Sequence, residues 1–152
     1  MKALVKTAFL LAALVLAGCG GGGKPWHMTD ISGAMPDLAF HMTRATDGVP
    51  VTERDYRGQI VLLYFGYTHC PDVCPATLAN LADILDRVGR KDVRVLFVTV
   101  DPARDTVPVL KQYTAAFSPR IDGLVGGKEE IAQLARRYRI AYQVTPGPPY
   151  TV

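Results

Sequence analysis

A chain of 152 residues, 49% hydrophobic and 20% charged, is long enough for one domain around one core and crowded for two. Its formal net charge of +3 excludes a strongly basic chain, and two of the lysines responsible, Lys2 and Lys6, stand in the first six residues. Charge therefore gives no reason to assign nucleic acid as a partner.

The first residues read as an export signal. Lys2 and Lys6 precede the apolar run Ala8 to Ala17, which leads into Leu16-Ala17-Gly18-Cys19. That run is shorter than the roughly 20 residues that span a bilayer, so a removable signal fits better than a permanent anchor helix. Leu-Ala-Gly-Cys resembles the lipobox of bacterial lipoproteins, which implies cleavage after residue 18 and lipidation of Cys19 on the outer face of a membrane. The mature chain would keep 134 residues with 15 basic against 14 acidic side chains, a net charge of +1. Residues 19–36 form the lipidated cysteine and a linker, with Gly20 to Gly23 as a flexible tether punctuated later by Pro25 and Pro36. Lipidation of Cys19 would leave two thiols, Cys70 and Cys74, in a compartment where disulfides persist.

Residues 37–152 are read as the folded domain. Leu38-Ala39-Phe40 and Val49-Pro50-Val51, around the turn residues Thr46-Asp47-Gly48, predict a short hairpin. Gln59 to Gly66 and Val93 to Val100 are continuous apolar runs, as in parallel strands buried on both faces. Between them Leu78, Leu81, Ile84, Leu85 and Val88 recur at helical spacing, so the segment predicts a βαβ unit with a right-handed crossover. Downstream, Thr106 is placed to cap a helix with Pro108 in its first turn and Leu110, Tyr113 and Phe117 on its inner stripe. In a further helix Glu129 and Glu130 open, Arg136, Arg137 and Arg139 close, and Ile131, Leu134, Ala135 and Tyr138 face inward, in the order the helix dipole favours. Leu124-Val125 and Ile140 to Val144 are flanking strand candidates. Tyr64, Phe65, Phe97, Tyr113 and Tyr138 read as core aromatics. Tyr150-Thr151-Val152 opens a β-like segment after a proline-rich loop, so the expectation is a piece of a longer domain, with a disordered tail as the alternative.

The chemistry is concentrated in Tyr67-Thr68-His69-Cys70-Pro71-Asp72-Val73-Cys74-Pro75 at the exit of the first long strand. In an open α/β sheet, ligands gather outside the carboxyl ends of the strands, where Asp101 to Thr106 also lie. Pro75 disfavours a helical residue before it, so it is expected at the first helical position, with Cys74 at the cap and Cys70 in the preceding turn. Sulfurs over a helix N-terminus are stabilised as thiolates, the form that metals and disulfide exchange both use. Two soft sulfur ligands suit Cu(I), whereas structural zinc takes four ligands. The three-residue spacer departs from the two-residue redox pattern of thioredoxins without forbidding a disulfide. From the residues alone, metal carriage and redox work both stay open.

Together, Gly66 to Pro75 and Val100-Asp101-Pro102-Ala103-Arg104-Asp105-Thr106 closely resemble the Sco/SenC family, with spacing and element order matching from about Pro36 to Val152. The resemblance implies a thioredoxin-like three-layer α/β sandwich, here incomplete at the C-terminus. It also implies copper bound by Cys70, Cys74 and a later histidine expected beyond Val152. The implied partner is the copper-site subunit of cytochrome c oxidase or another copper carrier, and some members are thought to act instead as thiol–disulfide reductants. The missing strands would leave an unprotected sheet edge and a chain of poor stability. Nothing in the sequence identifies a small-molecule substrate, and a peroxidase reading is weakened by Tyr67 where such enzymes carry threonine.

Secondary candidates receive plainer readings. His69 is expected to support the loop or lie at the surface. His27-Met28, Met35 and His41-Met42 are soft-ligand groups more simply read as linker and edge packing. Asp72 is either a turn former or a residue that tunes the thiols. Asp101, Arg104 and Asp105 form either a charged brace for the site loop or solvated turn residues.

Overall fold

The computed structural model describes residues 28–145, and the chain divides into two units at Ala34–Met35. Of the first unit Met28–Ala34 is described; its one turn is closed by Ala34 N–H donating to the Ile31 carbonyl at 2.9 Å and by the Asp30 carboxylate, which accepts from the Ser32 amide and hydroxyl. Cys19 and the signal and lipidation readings lie outside the described residues, as do Tyr150 to Val152. No described helix is long and apolar enough to cross a membrane.

The second unit carries β1 (His41–Arg44), β2 (Pro50–Thr52), a 3-10 turn (Glu53–Tyr56), β3 (Ile60–Gly66), α1 (Val73–Val88), β4 (Val93–Thr99), α2 (Val107–Ala115), β5 (Ile121–Val125) and α3 (Lys128–Arg137). The strands form one mixed sheet in the order β2-β1-β5-β4-β3. β3 and β4 pair in parallel from Ile60↔Val93 to Gly66↔Thr99, β4 pairs in parallel with β5, and β1 runs antiparallel to both β5 and β2.

Period-two alternation in β4 shows why the sheet is covered on both sides. Leu96 and Val98 join Met42, Leu124, Ile131 and Leu134 in one core, beneath α3. Val93, Val95 and Phe97 join Leu78, Leu85 and Leu110 in the other, beneath α1 and α2. A strand that buries both sets of side chains reads as an unbroken apolar run. The result is the expected three-layer α/β arrangement. Each fully buried leucine contributes on the order of 1.5–3 kcal/mol, and Leu78, Leu96, Leu110 and Leu124 are all completely enclosed.

Local signals set the helix ends. α1 stops where Gly89 adopts φ +67° and its N–H closes on the Leu85 carbonyl. α3 opens with the Glu130 carboxylate accepting the Gly127 N–H at 2.7 Å and closes on Arg136 and Arg137.

Three expectations are corrected. The first hairpin strand lies at His41–Arg44 and not at Leu38–Phe40, because Thr43 and Arg44 must meet Val125 and Leu124 of β5 while Met42 points into the core. Ile140 to Val144 form no strand; Arg139 takes φ +57°, which turns the chain out of its helical course. Phe117 lies just beyond α2, which ends at Ala115.

At one end of the sheet order stands β3, with Ile60 47% and Leu62 38% exposed. Among the described residues, the strand that ends the sheet order is the one that leads into the cysteine loop.

Candidate functional site

The carboxyl ends of β3 and β4 are tied together before either loop begins. Val100 N–H donates to the Gly66 carbonyl at 2.9 Å, continuing the parallel ladder by one step. The loop after Gly66 carries the cysteines, and the loop after Val100 carries Asp101, Arg104 and Asp105.

α1 starts at Val73 with Asp72 as its N-cap, so Cys74 is the second helical residue and Pro75 the third. The expected capping role for Cys74 is corrected. A proline within the first turn loses no intrahelical bond, because the leading N–H groups have no partner there anyway. Asp72 itself makes no side-chain cap bond. The Cys74 N–H, one of those orphan donors, points instead at the Cys70 sulfur across 3.3 Å.

The two thiols are free and unlike each other. Cys70 is half-buried, while Cys74 is 5% exposed. Partial burial pushes the Cys70 thiol up. Hydrogen bonds from the Cys74 side chain, the Cys74 and Asp72 amides and the Tyr67 side chain outweigh it and hold Cys70 below the usual thiol range. Burial pushes Cys74 up, and the neighbouring Cys70 sulfur adds to the effect. The pair therefore presents one sulfur nearer the surface whose thiolate is favoured and one behind it whose thiol form is favoured.

Behind Cys74 the packing is tight. A side chain added at Gly66 would place its Cβ 2.7 Å from Phe97 Cε2 and 3.1 Å from Cys74 Sγ. Tyr64 and Tyr113 flank Phe97 at ring separations of 5.7 Å each. Burial raises both phenols, Tyr113 to about 12, with the nearby sulfurs contributing. These residues are core aromatics, as expected, but two of them also wall the thiol site.

The second loop reaches across through Asp105, which is fully buried. Its carboxylate accepts the Thr68 hydroxyl at 2.5 Å, the Thr68 amide at 3.0 Å and the Thr99 hydroxyl at 2.6 Å. Thr68 Oγ1 also lies 3.1 Å from His69 Nδ1. The single hydroxyl proton is committed to Asp105, so the histidine nitrogen is the donor in that contact. His69 is thereby turned toward Thr68 and Asp105, 3.8 Å from the latter's Oδ1. Asp101, 1% exposed, accepts from Arg104.

Among the described residues, no three of His, Cys, Asp and Glu converge to hold an ion. Cys70 and Cys74 stand without a third ligand there, and the histidine expected beyond Val152 lies outside the sequence. His41 and Met42 do not make a soft-ligand site, since Met42 is 2% exposed in the core and His41 faces Glu130 at 3.5 Å. A cavity of about 400 Å³ beside Val100, Pro102, Lys128, Ile131 and Tyr142 includes Asp101 in its wall but neither cysteine.

A parallel βαβ unit with a cysteine pair at the strand-to-helix turn defines a thioredoxin-like thiol protein. Residues 34–152 match the SCO1/SenC family model, and the chain belongs to that family. It is 38% identical over 157 aligned residues to the mitochondrial SCO2 homolog of Bos taurus, covering 93% of this chain and 59% of that protein's length. Among solved structures, Arabidopsis thaliana ScoI with copper bound is 42% identical with a TM-score of 0.68, covering 74% of this chain and 72% of the other. A SCO1/SenC family lipoprotein from Bacillus anthracis is 29% identical with a TM-score of 0.59, covering 66% of this chain and 64% of the other.

Proposed function

We propose that this chain is a copper metallochaperone. Copper is its cargo, held by the thiolates of Cys70 and Cys74 and by a histidine supplied from beyond Val152, and delivered to the dinuclear copper centre of cytochrome c oxidase. The observation that carries this reading is the solvation of the Cys70 sulfur by the Cys74 N–H at 3.3 Å, at the start of α1. The amide and the start of the helix favour the thiolate of a sulfur placed there, and soft anionic sulfur favours monovalent copper over hard ions. Transfer is ligand exchange between two sulfur-rich sites, so no substrate turnover is needed. The copper-bound Arabidopsis relative supports the choice of metal.

The same reading places the domain outside the cytoplasm, tethered through a lipid on Cys19 and the glycine-rich linker. The sequence around Leu16-Ala17-Gly18-Cys19 and the lipoprotein relative from Bacillus support it.

The inequality of the thiols also favours a second reading, an extracytoplasmic thiol–disulfide oxidoreductase. In it the Cys70 thiolate attacks a partner disulfide and forms a mixed disulfide. The Cys74 thiol then loses its proton and attacks the Cys70 sulfur, leaving a Cys70–Cys74 disulfide and a reduced partner.

Titration of the purified protein, extended past Val152 to include the expected histidine, with Cu(I) against a competing chelator separates the two. One ion per chain, lost on Cys70→Ser or Cys74→Ser, is expected for the chaperone. Stoichiometric uptake surviving the double replacement sinks it. Absent uptake with a well-defined dithiol reduction potential leaves the oxidoreductase.

A further inference from the structure

Asp105 immediately precedes the N-cap of α2, where a carboxylate could satisfy that helix's own amide donors at little cost. It does not do so. Thr106 makes no side-chain cap bond either, and the buried Asp105 carboxylate turns away from its own helix to a loop 37 residues earlier in the chain. Enclosing an ionised carboxylate is costly unless donors replace its water. Two of the three donors that do so here belong to Thr68, two residues before Cys70. Thr68 in turn lies within the turn that Cys70 N–H closes on the Tyr67 carbonyl at 3.3 Å. The third donor, Thr99 Oγ1, fixes the carboxylate to the end of β4.

We propose that Asp105 is a positioning residue for the cysteine pair: it anchors Thr68, and with it the turn carrying Cys70, to the end of β4, and so sets how the two sulfurs meet a soft metal ion. This rests on the copper-binding reading for its consequence, though not for its geometry. The sulfurs themselves sit on a short loop and a first helical turn. Asp105 ties the hydroxyl and amide of Thr68 to the end of β4.

The test uses the full chain and three variants. Asp105→Asn keeps the shape but replaces one accepting oxygen with an amide donor, and Thr68→Val removes only the hydroxyl arm. Tyr56→Phe is the control: it removes a buried hydrogen bond to Asp122, 3.2 Å long and remote from the cysteines. Asp105→Asn is expected to weaken Cu(I) binding roughly tenfold or more, the order of one hydrogen bond to a charged group. It should also shift the sulfur-to-copper absorption of the Cu(II)-loaded chain and change the alkylation rate of Cys70. Thr68→Val should move the same three readouts less, and Tyr56→Phe should lower the melting temperature while moving none.

Unchanged affinity, absorption and alkylation in folded Asp105→Asn would overturn the proposal. Should that variant fail to fold, Thr68→Val decides in its place by the same readouts. Failure of the unmodified chain to take up Cu(I) would overturn the copper reading instead; Cys70 alkylation, which needs no metal, then decides the role of Asp105.

Discussion

The backbone amide of Cys74 donates to the side-chain sulfur of Cys70 across 3.3 Å, so the second cysteine of the pair solvates the first. The bond stabilises one thiolate and, through the resulting charge beside it, opposes the other.

Iodoacetamide should therefore modify Cys70 well before Cys74. The rate at Cys70 should reach half its maximum at a pH below the ~8.5 of a free thiol, and the rate at Cys74 above it. The stability linkage has opposite signs for the two. Cys70, depressed in the folded state, stabilises fully above ~8.5, and that contribution is lost as pH falls through its folded value. Cys74, raised in the folded state, stabilises fully below ~8.5, and its contribution is lost as pH rises through its own value. Mass spectrometry of peptides from a pH series reads both rates; equal rates would remove the asymmetry on which the oxidoreductase reading depends.

Gly66→Ala tests the wall behind Cys74. The added Cβ would sit 2.7 Å from a Phe97 ring that is completely buried and 3.1 Å from the Cys74 sulfur, so neither neighbour can yield cheaply. Overpacking of this kind costs about 1–3 kcal/mol. Urea unfolding should show a loss in that range, and alkylation of Cys74 should accelerate as its sulfur is displaced outward.

The long strands were legible because β3 and β4 are written as unbroken apolar runs, and the cysteine loop because turn residues interrupt that run at Tyr67. β1 was misplaced by three residues because its position is set by pairing with β5, some eighty residues later, and not by the local trio Leu38-Ala39-Phe40. The start of α1 was misread because the rule for residues before proline is a preference, which a first-turn position at Pro75 overrides. For Asp105, charge and the expected placement of its loop beside the cysteines at the strand ends hinted at a brace; its bonds to Thr68 and Thr99 needed the sheet register Gly66↔Thr99 to bring the two loops together. The second role of Tyr64 and Tyr113 was illegible, since an aromatic at helical or strand spacing looks the same whether or not its hydroxyl ends near a thiol.

Tyr113→Phe should leave the protein as stable or more stable. The Tyr113 hydroxyl is buried and has no hydrogen-bond partner among the described residues. Removing an unsatisfied buried group recovers on the order of 1 kcal/mol. The alkaline limb should also flatten. Tyr113 is raised to about 12 by burial first and by the sulfurs second, against ~10 in the unfolded chain. Its stabilising contribution is therefore complete below ~10 and disappears as pH rises through about 12. Thermal melts of the variant between neutral and alkaline pH check both effects, and a loss of stability at neutral pH would show that the hydroxyl has a partner after all.

The exposed flank of β3 predicts how the 19–152 chain behaves when concentrated. Among the described residues β3 is seven residues long, ends the sheet order, and exposes Ile60 and Leu62. A long apolar edge is a template for pairing with another chain, and natural sheets blunt such edges with a charge, often lysine. Leu62 is 38% exposed, so a lysine there can carry its ammonium to water while its stem covers the surface that leucine covered. Leu62→Lys should accordingly lower concentration-dependent light scattering on warming, with little change in the unfolding midpoint of dilute samples. Equal scattering from the variant would mean that β3 is not the surface through which chains associate.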